Sequence, residues 1–277
     1  MTTGADQPTL TYVTSRDGTE IAYWTSGDGP PLVLVHGAAG DHTRWRPLLP
    51  HLEPQTTVHA MDRRGRGASG DAPEYDLERE YEDVAAVIDA VARASGSRVD
   101  VYGHSYGGAC AFGAALLTRS IHRLVLYEGW PSVRPESHAL PAGVEERMER
   151  ALAEGDREEV VITLMRDGLA FSEEELATFR AAPSWVGRVA AAHTLPRELR
   201  AGRTARLDPE RASGISVPVL LITGELSTDP ARADVEHVAK ALPNARTLVL
   251  PGQQHVADAM IPEAFAAHVL AFLREES

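Results

Sequence analysis

The sequence predicts an α/β domain: an eight-stranded, mostly parallel sheet flanked by helices, with a helical cap inserted between two strands. Three observations carry this. Apolar, β-branched runs alternate with helical stretches along most of the chain, as strands joined by crossover helices require. Runs such as Leu32-Val33-Leu34-Val35 and Val219-Leu220-Leu221-Ile222 are apolar on both faces, as strands covered from two sides must be. The alternation fails once, between about 132 and 213, where only amphipathic helical segments appear.

Taken in order, residues 9–14 and 20–25 flank Asp17-Gly18 and read as an antiparallel hairpin. Further strands are expected at 31–36, 56–62, 99–103, 123–128, 217–224 and 245–251, with core helices at 81–94, 108–118, 234–242 and 262–275. The cap helices are expected at 144–154, 156–169, 173–181 and 184–195. This divides the chain into a first core part (1–131), a cap (132–213) and a second core part (214–277). A chain of 277 residues suits one large domain carrying an insertion.

Composition removes several classes of function. A hydrophobic content of 43% with 24% charged residues is that of an ordinary soluble protein. The net charge of −13 argues against a nucleic-acid partner, which needs a basic face. No apolar run approaches the roughly 20 residues needed to cross a bilayer. Met1 to Pro8 is polar and lacks a secretory apolar segment, so a cytoplasmic location is the default expectation, as monomer or homodimer. The single cysteine, Cys110, excludes an intrachain disulfide and reads as a packing residue among Ala and Gly. No Cys/His cluster has metal-ligand spacing and no nucleotide loop is present, so neither metal nor other cofactor is expected.

The chemistry concentrates at Gly103-His104-Ser105-Tyr106-Gly107, which follows an apolar run and opens a small-residue helix. Serine between two glycines at a strand-to-helix turn is a nucleophile elbow, strained so that the hydroxyl stands clear of the backbone. Ser105 then needs a base and donors for the oxyanion it generates. His36-Gly37-Ala38-Ala39-Gly40 follows the third strand, so the N–H groups of Ala38 and Tyr106 are the candidate oxyanion donors. Among the 11 histidines, His255 in Leu250-Pro251-Gly252-Gln253-Gln254-His255 follows the last strand and precedes the last helix, where the general base belongs. His36 and His104 read as residues that hold loops.

With these parts in this order, the chain resembles α/β-hydrolase fold proteins over essentially its whole length. Asp62-Arg63-Arg64-Gly65-Arg66-Gly67-Ala68-Ser69 also resembles the family's D-x-R-G-x-G-x-S segment and reads as turn architecture, not as a phosphate loop. The family places its acid in a G-x-x-D arrangement after the seventh strand. Here Gly224-Glu225-Leu226-Ser227 puts serine in that position, and serine cannot carry the charge that favours an imidazolium. Three carboxylates compete for the role. Asp229 lies two residues on, where Asp229-Pro230 also reads as a helix N-cap and first turn. Glu225 lies close to the strand end. Glu128 ends the strand after the nucleophile helix and is favoured, because a carboxylate at the core edge is costly without a partner. Haloalkane dehalogenases are similar in placing a Glu at the end of this strand, although their nucleophile is Asp.

The resemblance implies a serine hydrolase of a carboxylic ester, lactone or thioester, acting on a small, fairly hydrophobic molecule. Trp130 and Trp185 are candidate substrate contacts, with packing within the cap as the alternative for such aromatics. The same scaffold supports two other classes: a cofactor-free cyclase or lyase, and a slow-turnover ligand receptor.

Overall fold

The computed structural model describes residues 7–134 and 140–275. Eight strands form one sheet: β1 (Thr9–Thr14), β2 (Glu20–Gly27), β3 (Pro31–Val35), β4 (Thr57–Met61), β5 (Val99–His104), β6 (Ile121–Tyr127), β7 (Val219–Gly224) and β8 (Ala245–Leu250). Their spatial order is β1-β2-β4-β3-β5-β6-β7-β8. Pairings β1–β2 and β2–β4 are antiparallel and every pairing from β4 onward is parallel, as expected for a hairpin leading into crossover units.

Central strands β3 and β5 are buried at every position, which explains their continuous apolar runs. Two apolar layers cover the sheet. One packs Val33, Val35, Val101 and Leu124 against helix Leu77–Ser95 and the helix after the elbow, Tyr106–Ala115. The other packs Leu34, Tyr102 and Tyr127 against Trp45 and the last helix, Pro262–Leu273. Cys110 is fully buried in the first layer.

Element boundaries shift for local reasons. The helix expected from 81 begins at Leu77, because Asp76 caps it by accepting from the Arg79 N–H at 3.0 Å. The helix expected from 234 begins at Asp229, with Thr228 at the N-cap position and Pro230 in its first turn, so the expected cap is displaced by one residue. Strand β6 stops before Glu128, whose φ of 44° turns the chain out of the sheet.

Between β6 and β7 the described residues form helices Val144–Ala153, Arg157–Thr163, Glu173–Ala181, Trp185–Ala190, Leu195–Thr204 and Pro209–Ala212. The last two were not anticipated. Pro196 in the first turn starts a new helix where the apolar pattern ends. The stretch expected as one helix over 156–169 is α-helical to Thr163, then widens into a π turn at Leu164–Gly168. All but the last of these helices share an apolar cluster of their own, including Val144, Met148, Val161, Met165, Phe179 and Trp185, while Ala212 packs in the first layer on the sheet. Ala39, from the loop after β3, and Val256, which follows His255, belong to the same cluster. The helical segment therefore packs directly on the loops at the carboxyl ends of the strands, where α/β sheets hold their ligands.

Candidate active site

Ser105 sits at the end of β5 with φ 54° and ψ −131°, a conformation a non-glycine residue adopts only under constraint. The constraint comes from close backbone approach on both sides. A Cβ on Gly107 would lie 2.2 Å from the His36 carbonyl oxygen, and one on Gly129 would lie 2.1 Å from the Ser105 carbonyl oxygen. Glycine at 107 and at 129 is thus required by the neighbouring chain.

The Ser105 hydroxyl is 2.9 Å from His255 Nε2, and His255 Nδ1 is 2.7 Å from Glu128 Oε2. Serine, histidine and glutamate therefore form one continuous hydrogen-bonded row. The second oxygen, Glu128 Oε1, accepts from the Thr223 hydroxyl at 3.0 Å, the Gly224 N–H at 2.9 Å and the Ser227 hydroxyl. Strand register makes this possible. Tyr127 pairs with Ile222, and the Glu128 N–H donates to the Ile222 carbonyl, so the next residues on β7 face the Glu128 carboxylate. Burial alone would raise the Glu128 pKa. The hydrogen bond and charge of His255, with the Gly224 and Ser227 donors, outweigh it and hold the carboxyl at about 2.

Of the three competing carboxylates, Glu128 is the one in contact with His255. Glu225 instead accepts from the Gly252 N–H at 2.8 Å. The Asp229 side chain lies outside the described residues. Ser227, read from sequence as the loss of an acid, supports the acid supplied by the neighbouring strand. A hydroxyl in the usual acid position, beside a strand ending in Glu, was the available signal.

His255 is held from below. The His104 Nε2–H donates to the His255 carbonyl at 2.8 Å. Tyr127 donates its hydroxyl proton to the Gln254 carbonyl and accepts from the Ala257 N–H at 3.0 Å. His36 donates from Nδ1 to the Gly37 carbonyl at 2.8 Å and accepts the Arg63 N–H at Nε2, 3.1 Å away. Both His36 and His104 are pushed well below the usual histidine range, by burial first and then by nearby arginines. His36 is thus engaged at both ring nitrogens and His104 at Nε2, each tied to a loop backbone.

Asp62 organises the turn after β4, accepting from the Trp24 indole, the His42 N–H and ring, and the Ala68 N–H. Arg63 from this turn donates to Glu80 and Glu198, and its Nη1 donates to the His36 and Gly37 carbonyls. Its guanidinium also lies 4.7 Å over the Tyr106 ring. The turn thus braces the loop that carries Ala38.

Trp185 packs in the cap cluster, with its indole N–H on Glu158 at 3.2 Å, and Trp130 packs in the layer beneath the elbow. Trp185 thus lies in the cap's own cluster, while Trp130 lies in the layer on the sheet. Among the described residues no group of three or more His, Cys, Asp or Glu side chains could hold a metal ion. Nor is any described helix long and apolar enough to cross a membrane.

Residues 32–268 match the model of the Alpha/beta hydrolase family. The chain belongs to that family. An alpha/beta hydrolase from Sphaerobacter thermophilus DSM 20745 superimposes with a TM-score of 0.79 at 37% identity, covering 95% of this chain and all of that one. The pimeloyl-[acyl-carrier protein] methyl ester esterase of Aeromonas hydrophila is 25% identical over 252 residues, 86% of this chain and 93% of the esterase. The soluble epoxide hydrolase of Corynebacterium sp. (strain C12) is 33% identical over 129 residues, a match spanning 46% of this chain and 44% of that hydrolase. Two of these relatives are matched along nearly their whole length, one of them an esterase.

Proposed function

We propose that this hydrolase cleaves a carboxylic ester, lactone or thioester through a Ser105–His255–Glu128 triad and an acyl-enzyme. The observation that carries the reading is the unbroken row from Ser105 Oγ through both ring nitrogens of His255 to Glu128. His255 Nε2 takes the hydroxyl proton as Ser105 Oγ attacks the acyl carbon, and Glu128 stabilises the imidazolium through Nδ1–H. The tetrahedral oxyanion is received by the Ala38 and Tyr106 N–H groups, each such donor contributing about 3–4 kcal/mol to the transition state. His255 then protonates the leaving alcohol or thiol. Water, deprotonated by the same ring, releases the acid and restores Ser105.

The full-length esterase relative supports ester chemistry. Ala39 and Val256, which share the cap's apolar cluster, support a largely apolar substrate body. Ser105→Ala is expected to lower kcat/KM for p-nitrophenyl butyrate by several orders of magnitude and to abolish fluorophosphonate labelling at that position. Undiminished turnover in this variant would remove the assignment.

A further inference from the structure

Arg188 is the unusual cation of this molecule. It lies on helix Trp185–Ala190, is buried, and donates from Nη1 to the Ala39 carbonyl at 2.9 Å. Its guanidinium sits 5.0 Å over the Phe179 ring, within the apolar cluster that joins the cap to the Ala38-Ala39 loop. Its Nε is buried without a hydrogen-bond partner.

Other buried arginines of the site region are each matched by an acid. Arg44 pairs with Asp258 at 2.6 Å, Arg63 with Glu80 at 2.6 Å and with Glu198, Arg64 with Asp83 at 2.6 Å, and Arg66 with Glu198. Among the described residues no carboxylate oxygen lies within 4.0 Å of an Arg188 guanidinium nitrogen. Asp41 and Asp258 attract the guanidinium without forming an ion pair with it. Asp41 accepts from the Thr43 N–H and hydroxyl, and Asp258 from Arg44 and the Tyr102 hydroxyl. Burial, with the repulsion of Arg44, outweighs the attraction of Asp41 and Asp258 and lowers the Arg188 guanidinium to about 10. A buried guanidinium without an ion-pair partner is expensive, and its cost falls when an anion joins it.

We propose that Arg188 receives a carboxylate carried by the substrate, so that the preferred substrate is an ester or lactone with a second, anionic group near the scissile carbonyl. The inference rests on the triad reading for the position of that carbonyl. Arg188 holds the residue next to Ala38, so an anion on its remaining N–H groups lies on the cap side of the oxyanion loop. The apolar side chains around it strengthen the contact by excluding water. A carboxylate also removes the desolvation penalty left by the unpartnered Nε. Glutamate-like or succinate-like half-esters have this chemistry, an apolar leaving group at one end and a carboxylate at the other.

Two measurements test the proposal separately from the triad. The first compares binding of two uncleaved amide probes by calorimetry, 4-anilino-4-oxobutanoate (anionic) and N-phenylbutanamide (neutral). Wild-type protein is expected to bind the anion at least tenfold more tightly, and Arg188→Met to lose that preference, while Arg188→Lys keeps part of it. Equal wild-type affinities for the two probes would overturn the proposal, with no variant needed. The second compares kcat/KM for mono-p-nitrophenyl succinate and p-nitrophenyl butyrate. Arg188→Met should lower the ratio of the two at least tenfold, mainly through KM for the succinate. A parallel fall for both esters, with the ratio unchanged, would reduce Arg188 to a strut for the Ala39 carbonyl. Loss of all ester turnover in the wild type would count against the triad reading, and the amide probes would still decide the role of Arg188.

Discussion

Ser105 and Glu128 both carry positive φ, 54° and 44°, and both project from the ends of adjacent strands toward one imidazole. Strain at these two residues is sustained because the surrounding chain over-determines it. Glu128→Gln keeps the shape and most hydrogen bonds but removes the charge that favours the imidazolium. It is expected to lower kcat by about three to four orders of magnitude, with KM little changed, in steady-state assays on a p-nitrophenyl ester. The neighbouring Ser227 offers a sharper test. Ser227→Asp sets a second carboxylate against Glu128 and should weaken activity through like-charge repulsion. In the Glu128→Gln background the same Ser227→Asp change should restore part of the lost kcat, because one acid then serves the site from β7. No gain in the double variant would show that position 227 cannot reach His255.

At the level of elements, the cap is fastened to the sheet by ions. Glu198, on helix Leu195–Thr204, is fully buried and pairs with Arg63 and Arg66 from the turn after β4. Arg63 in turn touches the His36 and Gly37 carbonyls. Breaking a buried pair from one side leaves charge uncompensated and costs about 3–5 kcal/mol. Glu198→Gln is therefore expected to lower the thermal midpoint measurably by calorimetry and to speed proteolysis within 140–213. The turn had been read from sequence as architecture. Its partners could not be read, because Glu198 lies in a helix that the apolar pattern did not announce.

For the whole molecule, pH dependence follows from carboxylates held below their ordinary values. Glu128 lies at about 2, Asp258 at about 2 under the Arg44 charge despite full burial, and Glu80 below its usual range beside Arg63. For such groups the folded pKa is lower than the unfolded one. Their stabilisation is present above about pH 4.5 and is lost as pH falls through the folded values. Thermal midpoints are expected to fall steeply between about pH 4.5 and 2. Glu128→Gln should fall less steeply over that range, since it lacks one of the titrating groups. An identical slope would mean that Glu128 is not held in its charged form by the fold.

The strand alternation, the elbow motif, a candidate base in the last loop and the family are legible in the residues alone, because these depend on short-range patterns: apolar periodicity, glycine at tight turns and residue order. The sequence narrowed the acid to three carboxylates and favoured Glu128, with no means of seeing its partners. Only the tertiary structure decided that contact. The β6–β7 register brings Glu128, Thr223, Gly224 and Ser227 together across 99 positions of chain, where sequence distance carries no signal. The same holds for Glu198 beneath the cap and for Arg188 against the Ala39 carbonyl. Whether a buried charge is matched or left open is a property of what packs around it, and that is settled by the fold alone.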